Sequence, residues 1–146
     1  MSSYYYDERG IIREELIDSK AKDIAQKLVF SRVGKDDKET KTQIRKFYNE
    51  VKLLEKRLKD RKDSPDKEAE FLKILPLIKM IKAKVAYAVG RENAKISQSF
   101  KDFLFKSIDE IKDKEDFEAF VLHFESVIGY YYEQAKLAKE GKSRRN

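Results

Sequence analysis

The chain has 146 residues, of which 41% are charged and 40% hydrophobic, and its net charge is +6. That length carries one domain rather than two, here taken as residues 1–146, and the apolar share is too high for wholesale disorder. The absence of cysteine excludes disulfides, iron–sulfur clusters and thiolate zinc sites, and a single histidine, His123, excludes any mechanism that needs two imidazoles.

Residues 1–12 include Tyr4-Tyr5-Tyr6, show no helical period, and are expected to be flexible. They also lack the basic start and apolar run of a secretory signal. From 13 to 30 the apolar residues Leu16, Ile17, Ile24, Leu28 and Val29 predict a first helix. Gly34-Lys35-Asp36-Asp37 breaks it from the next segment. Over 40–62, Ile44, Phe47, Val51, Leu54 and Leu58 step by three or four residues, giving one stripe along a second helix that Thr40 or Thr42 could cap. Ser64 and Pro65 are suited to the cap and first turn of a third helix, 64–91, whose core face holds Phe71, Ile74, Ile78, Ile81, Val85 and Val89. Pro76 should kink or split it. A fourth helix over 98–112 gathers Phe100, Phe103, Leu104, Ile108 and Ile111 on one side. A fifth over 115–139 gathers Phe117, Phe120, Val121, Phe124, Ile128, Tyr131 and Ala135. Gly141 opens a basic tail, and residues 141–146 are expected to be flexible. The expected fold is all-α: a compact bundle of about five helices with short loops. No apolar run reaches membrane-spanning length, so a cytosolic protein with no membrane partner is expected.

Charge is unevenly distributed. Residues 35–91 hold 17 basic and 10 acidic groups, whereas 102–133 hold three basic and nine acidic. From Phe71 to Arg91 the cations Lys73, Lys79, Lys82, Lys84 and Arg91 stand without any acid. A solvated helix face normally mixes signs, because opposite charges four residues apart stabilise it. At 100° per residue, Lys41, Arg45, Lys52, Lys56 and Lys59 fall within about 60° of arc, roughly opposite the apolar stripe. The ridge is about 27 Å long and could meet several consecutive phosphates of one strand. A plain solubilising face is the other reading of the same charges.

Little else carries chemistry. His123 lies between Leu122 and Phe124 and reads as a structural histidine. No phosphate-binding glycine loop and no nucleophile elbow occurs, no carboxylate pair is singled out, and no metal or cofactor is expected. Three successive helical positions span 200°, so Tyr130, Tyr131 and Tyr132 cannot all face inward. Their acidic surroundings favour a protein contact. Tyr48 and Tyr87 sit in the basic half, where packing is the ordinary role and flanking a nucleic-acid path the alternative.

Two strings carry a resemblance. They are Thr42-Gln43-Ile44-Arg45-Lys46-Phe47-Tyr48-Asn49-Glu50-Val51 and Lys82-Ala83-Lys84-Val85-Ala86-Tyr87-Ala88-Val89-Gly90-Arg91. With the aromatic-rich end, Phe100-Lys101-Asp102-Phe103 and 117–132, they resemble the small subunit of type III-A CRISPR effector complexes, the Csm complex, over roughly 38–135. The resemblance implies a five-helix protein without catalytic activity, present in several copies in an antiviral ribonucleoprotein. Its implied partners are the crRNA, the target RNA and the other subunits, and self-association is possible. It makes Arg45, Lys46, Lys84 and Arg91 candidate RNA contacts. Lys52, Lys79 and Lys82 join them on the charge geometry alone. The competing expectation is a helical adaptor that self-associates or bridges other proteins without touching RNA.

Overall fold

The computed structural model describes residues 3–31, 37–91, 94 and 96–145, with the side chains of 37–39 and 142–145 outside the description. Five helices follow in chain order: α1 (Ser19–Phe30), α2 (Asp37–Lys59), α3 (Lys67–Gly90), α4 (Gln98–Asp109) and α5 (Lys114–Arg145). A single 3-10 turn, Glu14–Leu16, precedes α1, so the expected first helix begins with a tighter turn before becoming α-helical. Among the described residues there is no strand, only an isolated bridge between Tyr6 and Ile12. No helix among them is long and apolar enough to cross a membrane.

The apolar stripes close on one another around a ring cluster. Phe124 of α5 meets Tyr48, Phe100, Phe103 and Phe120 at centroid distances of 5.4–6.0 Å. Phe47 of α2 reaches Phe100 at 5.8 Å. These tilted and edge-on arrangements suit the ring quadrupoles and add to the area they bury.

Caps differ from the sequence expectation in two places. Asp66 rather than Ser64 caps α3, its carboxylate accepting from the Ala69 N–H at 3.0 Å. The Ser64 hydroxyl instead bonds within the preceding turn, to the Asp66 backbone. α2 begins at Asp37, so Thr40 and Thr42 lie inside it and cap nothing; Thr40 is buried with its hydroxyl unpartnered. The break expected at Gly34-Lys35-Asp36 lies outside the described residues.

Pro76 neither splits α3 nor ends it. The proline is exposed, while Ile74 and Ile78 on either side of it are buried. The missing hydrogen bond therefore falls on the wet side of the helix, and the packed side holds the turn. α5 likewise continues through Gly141 to Arg145, where a frayed tail was expected.

The non-periodic N-terminus is tied to the bundle. Tyr5 is fully buried and donates its hydroxyl hydrogen to the Ser107 carbonyl at 2.6 Å. Tyr6 reaches the Glu115 carbonyl at 2.8 Å, and Ser3 donates to Asp116 at 3.1 Å. Gly10, at φ 76°, turns the chain back so that Ile11 N–H meets the Asp7 carboxylate, which holds that carboxyl below its usual range. His123 is buried beside Phe103. A carbonyl only accepts, so the contact with Leu16 O places the proton on Nδ1 and leaves Nε2 without a partner. Burial then lowers the His123 pKa.

Candidate nucleic-acid interface

α2 and α3 lie side by side and leave an open groove. It consists of two adjoining hollows of about 520 and about 430 Å³ that share Glu50, Met80 and Lys84. Lys56 and Arg57 border the first hollow, and Lys46 and Arg91 the second. The floor is apolar and wet: Leu53 is 63% exposed, Met80 52% and Leu77 41%. These residues lie off the core stripes, the one sequence signal that could have located the groove beforehand.

Helical arithmetic explains which sequence-predicted residues come together. Lys84 and Arg91 are seven residues apart, almost two full turns, so they share one side of α3 and face α2. Lys46 meets them from α2 across the second hollow. The side chains of Lys46 and Arg91 have no ion pair or hydrogen bond among the described residues. Lys84 pairs with Glu50 at 3.1 Å, a half-exposed pair of the kind worth about 0–1 kcal/mol.

The other four predicted residues lie elsewhere. Arg45 precedes Lys46 by one residue, hence about 100° round the helix. It donates to the Tyr132 hydroxyl of α5 at 3.3 Å, a bond that raises its pKa. Lys41 sits over the same Tyr132 ring at 5.3 Å. Lys52 pairs with Glu55 at 2.7 Å, and Lys59 approaches that carboxylate at 3.6 Å. The ridge expected along α2 is thus present, but part of it is held by Tyr132 and Glu55. Lys82 is 200° from Lys84 and turns to α4, pairing with Asp109 beside the Phe105 ring. Lys79 follows it, directing its ammonium at the Ile108 carbonyl at 3.3 Å, and partial burial lowers its pKa.

The predicted cations therefore occupy three flanks, of which only the α2–α3 groove gathers predicted residues from both helices. Arg57, at its rim, was missed because it lies off the ridge and outside both quoted strings. Tyr130 and Tyr132, expected to make protein contacts, meet Lys22 at 5.4 Å and Lys41 at 5.3 Å within the chain itself. Among the described residues no three His, Cys, Asp or Glu side chains gather as a metal site.

A family model of Csm2 type III-A proteins matches residues 13–136. The chain belongs to that family. Csm2 proteins are the small subunit of type III-A CRISPR complexes, as the two strings implied, and other subunits of the complex are therefore partners. The match starts at residue 13, so it takes in α1, which the resemblance over 38–135 left out. Neither the comparison with curated proteins nor that with solved structures gives a match. Within this Csm2 family member, the α2–α3 groove contains residues from both strings that carried the resemblance.

Proposed function

We propose that the chain is a non-catalytic RNA-binding subunit of an antiviral type III-A ribonucleoprotein. Its α2–α3 face touches the backbone of the crRNA and target RNA. The observation that carries this reading is the meeting of Lys46, Lys84 and Arg91 around one open groove, the side chains of Lys46 and Arg91 having no ion-pair partner among the described residues. Arg91 can fork onto two phosphate oxygens, whereas the lysines act as mobile point charges. Arg45 and Lys52, on the ridge of α2, and Lys79 and Lys82, on the side toward α4, lie off this groove and would meet other stretches of RNA backbone. Contacts to phosphate and sugar are largely blind to sequence, which suits a subunit of a complex whose specificity comes from base pairing.

Filter binding of the full chain to single-stranded and duplex RNA over a salt series tests the reading. Affinity at low salt should fall as salt rises, with a logarithmic slope of about −2 for three neutralised phosphates on a single strand. No binding at low salt contradicts it.

The exposed Leu53, Leu77 and Met80 favour one second reading, a helical adaptor. There the groove takes the acidic outer face of another copy head to tail. Light scattering that shows salt-sensitive self-association, without RNA affinity, would select it.

A further inference from the structure

Tyr87 differs from every other tyrosine of the chain. Tyr5, Tyr6 and Tyr130 donate their hydroxyls to Ser107, Glu115 and Asp18. Tyr132 accepts from Arg45, Tyr48 packs edge-on against Phe124, Tyr4 packs edge-on against Tyr5, and Tyr131 is buried. Tyr87 is 72% exposed, and its side chain makes no hydrogen bond, ring contact or cation contact among the described residues. A ring stabilises a fold through the area it buries, so an exposed one contributes little.

Its position gives the ring a use. Tyr87 lines the hollow that also holds Lys46, Lys84 and Arg91. The Arg91 backbone N–H donates to the Tyr87 carbonyl at 3.1 Å, which fixes that cation one turn beyond the ring. One turn before it stands Ala83, too small to cover it. An aromatic face set among cations that hold phosphates matches a nucleotide: backbone on the charges, base on the ring. A base inside a duplex is already stacked on both sides and offers the ring no face.

We propose that Tyr87 is a stacking platform for an unpaired base of the RNA strand whose phosphates lie on Lys46, Lys84 and Arg91. This rests on the RNA-binding reading and adds to it a preference for single-stranded over fully paired RNA at this spot.

The chain has no tryptophan, so Y87W installs a unique fluorescent reporter at the site. Polyglutamate and three RNA probes are titrated at low salt, with emission and the anisotropy of the labelled probe read together. The RNA probes are an oligouridylate, an abasic ribose-phosphate oligomer of equal length, and a blunt RNA duplex. The expected result is binding of all three RNA probes, with quenching by the oligouridylate alone. Y87A should weaken oligouridylate binding about tenfold and leave the abasic oligomer unaffected. Equal quenching by the abasic oligomer, or Y87A binding oligouridylate like the unaltered chain, overturns the stacking role while the RNA reading stands. Absence of binding by every probe overturns the RNA reading and this inference with it. An emission change with polyglutamate but not with oligouridylate assigns the groove to an acidic polypeptide and overturns both.

Discussion

The α4–α5 flank and the α2–α3 flank use their apolar side chains in opposite ways. On the first, Phe100, Phe117, Phe120 and Phe124 are all buried, and even the lone histidine is folded into the packing. On the second, Leu53, Leu77, Met80 and Tyr87 stay in water beside the cations of the groove. The closed flank holds most of the buried aromatic rings. The open flank leaves apolar area in water that the proposed partner would cover. Stability and the proposed recognition thus fall on different faces, since α2 and α3 bury one side in the core and turn the other to the groove, and changes on the two should have separable effects.

The largest effect belongs to the closed flank. F124A removes a ring that four others touch and should destabilise the fold by about 3–5 kcal/mol, read by chemical denaturation. Next comes the open flank. K46A/K84A/R91A should leave the unfolding midpoint nearly unchanged while abolishing most of the salt dependence of RNA binding, a change in slope of about 2. If F124A spared the fold, or the triple variant unfolded it, the division between flanks would fail.

A smaller effect follows from His123. Its native pKa is lowered, so around pH 6 the unfolded chain binds a proton that the folded chain refuses. Stability from this residue is therefore present above about pH 6.5 and declines as pH falls, by at most about 1.4 kcal/mol per pH unit. Thermal melts of the unaltered chain and H123F between pH 7.5 and 5 should show that slope only in the former. The smallest effect concerns Gly129, exposed inside α5 with open space where a Cβ would stand. G129A should stabilise by about 0.5–1 kcal/mol, seen as a rise in melting temperature.

Most helices were legible because their apolar residues recur every three or four positions, and local periodicity survives whatever the neighbours do. What escaped depends on partners distant in sequence. Tyr5 is core only because Ser107 lies above it, and nothing within residues 1–12 announces that. Pro76 stays helical because packing on the opposite side outweighs its missing hydrogen bond. The same holds at the candidate interface. Charge on α2 and α3 could be read residue by residue, but not which helix lies alongside each face. Lys82 and Lys84 sit two positions apart in one basic run, yet one turns to Asp109 and the other to the groove. Sequence spacing separates them by 200°; only the fold says what stands at either end of that arc.

RNA is proposed to lie along the α2–α3 groove. Photo-crosslinking of 4-thiouridine-labelled RNA in the co-purified complex, read by mass spectrometry of the attached peptides, addresses this directly. Adducts should concentrate in peptides spanning 43–57 and 80–91. Adducts confined to the outer face of α5, with both of those peptides clean, would contradict it.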